Sequence, residues 1–202
     1  MDVRKLTVEE YLDKFAGSEP VPGGGGVCGV VGALAAAAGE MVCSLTIGKK
    51  KFENIEPEVR GIAMRLKEAR ENLISLADKD AEVFEPLAES YKDKTKTEAE
   101  MDMLYSNAAG VPLDIIKNVY SILDEFDYLA DNASRLAISD AACAAVYARA
   151  AIAGEILNVK INTRCIKNAE IRYELEKEAD LLYQNAMKKC DRIFDKVLKG
   201  FE

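Results

Sequence analysis

Apolar residues recur at intervals of three and four along most of the chain, which is the spacing of one face of an α-helix. The clearest stripe follows Pro57, a residue type favoured at the first helical position, and runs through Val59, Ile62, Leu66, Ala69, Leu73 and Leu76. Similar patterns predict helices over residues 7–16, from about 97, over 115–129 and over 168–199. Pro86 and Pro112 interrupt two of these patterns, and we expect each to bend or end its helix.

Two further segments, residues 27–47 and 139–157, are rich in alanine and other small residues. The first has Glu40 as its only charge. It is long enough to cross a bilayer, which takes about 20 residues, but an apolar helix is also typical of the centre of a soluble bundle. Because small residues outnumber large aliphatic ones, we favour burial and predict no membrane insertion.

Only residues 158–162 alternate as a strand would, and this segment is too short and isolated to make a sheet. The sequence therefore predicts an all-α bundle in which two buried Ala/Gly-rich helices lie among longer amphipathic ones, with orthogonal or up-down packing. No composition shift marks a boundary, so residues 1–202 are predicted to form a single domain. Small residues four apart allow close helix contact, either inside the subunit or across a twofold interface. We predict a homodimer.

Composition excludes several kinds of chemistry. The 202 residues include no histidine, which excludes His-based catalytic triads and His-ligated zinc or haem, and no metal site is predicted. The net charge of −8, from 27 basic and 35 acidic residues, argues against nucleic acid as a partner, since such binding depends on neutralising phosphates. The beginning of the chain is polar rather than an apolar leader, and five scattered cysteines are expected to be reduced and mostly buried. We expect a cytoplasmic protein.

A glycine-rich turn precedes the first Ala-rich segment: Pro22, Gly23, Gly24, Gly25 and Gly26. Free N–H groups at a helix start can bind an anion, but the Gly-Lys-Ser/Thr of a Walker loop is missing. The turn is therefore either an anion site or a tight entry into a closely packed helix.

Asp80 is the more specific candidate, because it continues the apolar stripe four residues beyond Leu76. A carboxyl group in a core stripe loses hydration, which raises its pKa unless a cation or donor compensates. Such a group suits general acid catalysis near neutral pH. The alternative is a structural carboxylate paired with a buried cation or a backbone donor.

Three other polar groups have two interpretations each. Ser139 and Asp140 precede the second Ala-rich segment, where an N-cap is favoured over a second catalytic carboxylate. Lys49 and Lys50 follow the first segment and are either helix-terminal cations or a positive site for an anionic substrate. Asn158 and Asn162 are either turn formers or hydrogen-bonding groups.

Taken in chain order, six motifs resemble one family. They are Pro22–Gly25, Leu45–Glu53, the Asp80 and Phe84 pair, Val111–Leu113, Ser139–Ala141 and Asn158–Asn162. Together they resemble the C-terminal part of the formiminotransferase-cyclodeaminases, over about residues 4–195. Two segments depart from that pattern, Ala133-Ser134 and Tyr91-Lys92-Asp93-Lys94.

The resemblance implies an all-helical dimer that acts on folate one-carbon units, with a tetrahydrofolate derivative as substrate and no permanently bound cofactor. The expected reaction converts 5-formiminotetrahydrofolate to 5,10-methenyltetrahydrofolate with release of ammonia. Alternatives are hydrolysis of methenyltetrahydrofolate in the same cleft and a non-catalytic folate-binding dimer, and a separate formiminotransferase is a candidate partner. Asp80 and Asp140 are the expected catalytic residues. The expected substrate-binding residues are Pro22, Gly23, Gly24, Gly25, Lys49, Lys50, Ser139, Asn158 and Asn162.

Overall fold

The computed structural model describes residues 2–93 and 95–202, and within these ranges the chain forms α-helices, short 3-10 turns and no strand. The α-helices are α1 (Val8–Ala16), α2 (Gly24–Ser44), α3 (Glu56–Ser90), α4 (Glu98–Ser121), α5 (Leu123–Asn132), α6 (Ile138–Thr163) and α7 (Ala169–Lys199). The all-α prediction is confirmed, and residues 158–162 belong to α6 rather than to a strand.

Four helices, α2, α3, α4 and α6, form an up-down core in which neighbours run antiparallel. At one end, Gly24 at the start of α2 lies beside Asn158 near the end of α6. At the other end, Ser134 just before α6 donates its N–H to Thr46 just after α2. The two Ala/Gly-rich helices are thus neighbours in the core. The prediction that they are buried holds for one side of each, because Leu34, Met41 and Leu157 on the other side are exposed. Helix α7 packs against α6 and α4 from outside.

Glycines let α2 approach its neighbours closely. A Cβ on Gly29 would lie 3.2 Å from the Leu73 carbonyl oxygen of α3, and one on Gly39 would lie 2.8 Å from Phe126 of α5. These contacts are inside the subunit. The small residues on this side of α2 therefore pack within one chain rather than across a twofold interface. The opposite side of α2 is more exposed.

The helix starts follow the sequence signals, whereas the prolines do not end helices. Thr7 and Thr97 each form a capping box at the start of α1 and α4. Helix α3 continues through Pro86 and α4 through Pro112. Pro86 is exposed, so the carbonyl it leaves unpaired faces solvent. The long pattern after Pro112 instead divides at Ile122, between α4 and α5.

Two helical segments, Gly24–Ser44 and Arg135–Thr163, are long and apolar enough to span a membrane by length and composition. About half of the most apolar stretch in each, 50% and 44%, is buried inside the bundle. Core helices of soluble proteins meet the same criterion, so the finding is weak evidence for insertion. The cysteines depart from expectation, because only Cys43 and Cys190 are buried and Cys143 is exposed; all five are free.

Candidate functional site

A cleft of about 350 Å³ opens where α2 begins, α3 and α6 end, and α4 passes. Its lining includes Gly23, Gly24, Gly25, Asp80, Phe84, Tyr91, Tyr105, Pro112, Asn158, Asn162 and Arg164. The structure therefore brings together three of the predicted glycines, Asp80 and both asparagines. Pro22 is buried directly before them. Tyr91 belongs to a segment that departs from the family pattern, and Lys94 of that segment lies outside the described residues.

Asp80 lies at the floor of this cleft, against the first turn of α2. The Gly26 N–H donates to its Oδ2 at 2.8 Å, and a Cβ on Gly25 would lie 2.7 Å from its Oδ1. Burial raises the pKa of Asp80, and the Gly26 hydrogen bond partly opposes that shift. The Gly26 N–H at the start of α2 thus holds a carboxyl group of the protein itself, one that is partly desolvated yet lines the cleft.

Glu155 is a second acid beneath the cleft, and sequence reasoning missed it. Its side chain is 0% exposed. Its Oε2 accepts a hydrogen bond from Asn158 Nδ2 at 3.1 Å, while its Oε1 has no partner among the described residues. Burial, and then the charge of Asp80, raise the pKa of Glu155 well above its ordinary value. In the structure Glu155 lies on the buried stripe of α6, four residues before Val159, but apolar residues lie on most sides of this helix, so its sequence alone does not mark that stripe.

Pro112 and Asn162 form one local arrangement at the cleft wall. Proline has no N–H, so Pro112 leaves the Ala108 carbonyl without its helical donor. Asn162 Nδ2 donates to that carbonyl at 3.2 Å and to the Asn158 carbonyl at 2.9 Å. The proline is tolerated inside α4 because a side chain of α6 replaces the missing donor, and this fixes the Asn162 amide at the cleft.

Aromatic and cationic groups complete the lining, and sequence reasoning did not single them out. Burial raises the pKa of Tyr105 to about 12, with smaller contributions from Tyr91 and Cys165 beside it. The Tyr105 phenol is therefore neutral near pH 7. Arg164 supplies a positive charge at the exposed end of α6.

The other four predicted site residues, Lys49, Lys50, Ser139 and Asp140, lie at the opposite end of the bundle. Asp140 precedes Asn158 by 18 positions in α6, which is about 27 Å at 1.5 Å per residue. Lys49 Nζ donates to Ser134 Oγ at 3.3 Å. The expectation that the lysines and both acids line one cavity is therefore not met within a single chain.

Asp140 and Ser139 also differ from the predicted cap. Helix α6 begins at Ile138, its N-cap position is Ala137, and no side chain caps it. Asp140 therefore lies in the first turn, where a negative charge interacts favourably with the helix dipole. Among the described residues, no group of three or more Cys, Asp or Glu side chains is arranged to hold a metal ion.

Comparisons with known proteins show the family of the chain. The profile of the family described as Formiminotransferase-cyclodeaminase matches residues 7–181. The chain belongs to this family. The matched region contains every residue of the cleft lining described above, so the motif resemblance in the sequence is confirmed.

Individual family members match over most of this chain. It is 30% identical over 198 residues to the methenyltetrahydrofolate cyclohydrolase of Methylorubrum extorquens, covering 95% of each chain. It is 27% identical over 183 residues to the formimidoyltransferase-cyclodeaminase of Gallus gallus, covering 87% of this chain but 34% of that one. The formiminotetrahydrofolate cyclodeaminase structure from Thermotoga maritima superposes with a TM-score of 0.87 and 34% identity, covering 98% of this chain and 96% of that chain.

Proposed function

We propose that this chain is a folate one-carbon enzyme that converts 5-formiminotetrahydrofolate to 5,10-methenyltetrahydrofolate and ammonia. The observation that carries the proposal is the partly desolvated Asp80 carboxyl, held by the Gly26 N–H in a cleft at the bundle end. The similar protein from Thermotoga maritima, named for this reaction, covers almost the whole chain.

The geometry supports a proton shuttle. N10 of the substrate attacks the carbon of the protonated formimino group (–CH=NH2+) and loses its proton. The resulting amino nitrogen leaves as ammonia once it has gained one proton, and the methenyl cation remains. A carboxyl group whose pKa is raised toward neutrality can take the first proton and deliver the second, which balances the reaction. In one chain, Asp80 is the residue placed to do so, and Arg164 at the cleft is a suitable partner for the negatively charged tail of a folate.

Hydrolysis of methenyltetrahydrofolate is the second candidate reaction. It uses the same carbon and the same cleft, with water adding where ammonia would otherwise leave. The match to the Methylorubrum extorquens cyclohydrolase, which covers 95% of each chain, favours it. Asp80 would then act as the base that takes a proton from the attacking water.

An assay with each substrate separates the two reactions. With 5-formiminotetrahydrofolate, we expect ammonia and methenyl absorbance to rise together at equal rates. Loss of methenyl absorbance without ammonia, when methenyltetrahydrofolate is supplied, would establish the hydrolase instead. If neither substrate turns over but a reduced folate raises the melting temperature, the chain is a folate-binding helical protein.

We also propose that the protein is a homodimer formed through the outer face of α2 and α6. This face is apolar and exposed, with Leu34 at 56%, Met41 at 51% and Leu157 at 68% exposure. Two adjacent helices of this length present about 600 Å² per protomer, using 1.5 Å per residue and a helix diameter of about 10 Å. Two copies would bury about 1,200 Å², the lower bound for a stable interface.

Charge favours an antiparallel arrangement of the two copies. No lysine or arginine contributes to the pKa of Asp80 or Glu155 at the cleft end. Lys49 and Lys50, at the opposite end, form no ion pair with any described residue. A twofold axis perpendicular to α2, across the middle of this face, would place the lysine end of one protomer beside its partner's cleft. The separated site residues would then meet between subunits.

Replacing Leu34 with Glu is expected to convert the dimer into monomers, because the charge would lie in the middle of the buried face. Size-exclusion chromatography with light scattering checks this. Met64 on α3, at 73% exposure, provides the matched control, since Met64→Glu should leave the mass unchanged. A Leu34→Glu protein that keeps the dimer mass would contradict this interface.

A further inference from the structure

The buried carboxyl of Glu155 determines how one cleft residue is oriented. Asn158 Nδ2 donates to Glu155 Oε2 at 3.1 Å and to the Gly154 carbonyl at 3.2 Å. That carbonyl is also the acceptor position for the helical N–H of Asn158. Glu155 therefore supplies the acceptor that the backbone does not already use, and its side chain is 0% exposed.

Both N–H groups of the Asn158 amide donate within the protein, to the Gly154 carbonyl and to Glu155, so its oxygen is the atom left for a ligand. Asn158 Oδ1 and Nδ2 lie 3.6 and 3.8 Å from where a Cβ of Gly24 would be, and among the described residues Oδ1 accepts no hydrogen bond. Asn162 has the same polarity, because its Nδ2 donates to two backbone carbonyls. Two amide oxygens from α6 and the Asp80 carboxyl from α3 are thus acceptors in the lining of the same cleft.

We propose that Glu155 is a positioning residue that fixes the Asn158 amide with its oxygen toward the substrate. This deepens the proposed folate activity and rests on it. The ligand group recognised is an N–H donor, such as the amino group or ring N–H of a reduced pterin. Asn158 makes the contact, and Glu155 acts only through it.

The surroundings of Glu155 support an orienting role rather than proton transfer. The charged or titratable groups that face it are Asp80 from α3 and Cys28 from α2. The charges of both also raise the pKa of Tyr11 from α1, after the larger effect of burial. Burial, with the charges of Glu155 and Asp80, raises the pKa of Cys28 to about 12. Helices α4 and α7 contribute no charge to the Glu155 carboxyl. No donor from the described residues reaches its Oε1.

Four variants test this: Glu155→Leu, Glu155→Gln, Asn158→Leu and the Leu/Leu double variant. Leucine removes the acceptor, so the amide of Asn158 can turn and the KM should rise about tenfold with kcat nearly unchanged, as for loss of one hydrogen bond. Glutamine keeps an oxygen that accepts from Nδ2, so its KM should stay within about twofold of wild type. Because Glu155 acts through Asn158, the double variant should be no worse than Asn158→Leu alone.

Several outcomes would overturn the inference. Multiplying effects in the double variant would show that Glu155 acts independently of Asn158. A Glu155→Gln protein as impaired as Glu155→Leu would assign the effect to charge rather than to orientation. Should Glu155→Leu fail to fold, Glu155→Met removes the same acceptor with an unbranched chain.

Binding of 5-formyltetrahydrofolate, measured by calorimetry for the same variants, separates this inference from the proposed reaction. If the wild type binds this folate but turns over no substrate, the proposed reaction is wrong. The relative affinities of the four variants for this folate then still test the role of Glu155. If the wild type binds no folate, both are wrong.

Discussion

Replacing Asp80 with Asn is expected to lower turnover by about 10²–10⁴-fold, the usual contribution of a general acid–base group. The amide has the same shape, and its oxygen can accept the Gly26 N–H that now bonds to Oδ2 at 2.8 Å. The fold should therefore be retained, while the group that moves the proton is lost. Initial rates of ammonia release, with circular dichroism to check folding, provide the measurement.

Asp78 on the same helix gives a matched control for that substitution. Its Oδ1 accepts the Val3 N–H at 2.9 Å, and an Asn at this position keeps an acceptor there. Asp78→Asn should therefore retain near-normal turnover. If Asp80→Asn keeps activity within about tenfold of the wild type, Asp80 is not the proton-transfer group.

Asp80 was predictable because the apolar residues before it repeat with the period of a helix and so mark one face of α3. Once Val59 to Leu76 define the buried face, the position four residues on must lie near it. Glu155 obeys the same rule within α6, but apolar residues such as Ile152, Ile156 and Leu157 lie around it on several sides of the helix, so the buried face has no contrast in the sequence. Its burial depends on α2 packing closely, which the chain order does not show.

At Pro112, a contact between two helices overrides the local rule that a proline interrupts its helix. Pro112 would be expected to end its helix, yet Asn162 supplies a donor to the Ala108 carbonyl that the proline leaves unpaired. The two residues are 50 positions apart in the sequence, and only the antiparallel packing of α4 and α6 brings them together. The sequence pattern of α4 alone cannot show that a side chain of α6 will supply this hydrogen bond.

The separation of the predicted site residues between the two ends of the bundle could, in contrast, be calculated from the helix lengths. The glycine turn and Lys49 flank α2, which has 21 residues and therefore extends about 31 Å. Ser139 and Asn158 lie near opposite ends of α6 and are separated in the same way. Motifs that resemble a family in chain order need not lie together in one subunit, and these two groups lie at opposite ends of this one.

Replacing Gly25 with Ala is expected to impair turnover by about 10²-fold without unfolding the bundle, because the reacting carboxyl would be displaced from its place. The added Cβ would lie 2.7 Å from Asp80 Oδ1 and 2.9 Å from its Cγ, so the carboxyl must shift from the position in which it accepts the Gly26 N–H. Helix α2 itself tolerates alanine well. Steady-state kinetics and thermal melting measure the two effects separately.

Gly110 in α4 offers the matched control, since a Cβ there would meet nothing within 4 Å. Gly110→Ala should keep full activity and gain up to about 1 kcal/mol from helix propensity. The decisive comparison combines Gly25→Ala with Asp80→Asn. If the alanine acts by moving the Asp80 carboxyl, it should cost almost nothing further once that carboxyl has gone. If Gly25→Ala instead lowers turnover by the same factor in the wild type and in Asp80→Asn, then Gly25 acts directly on the ligand, because it lets the ligand approach the start of α2 closely.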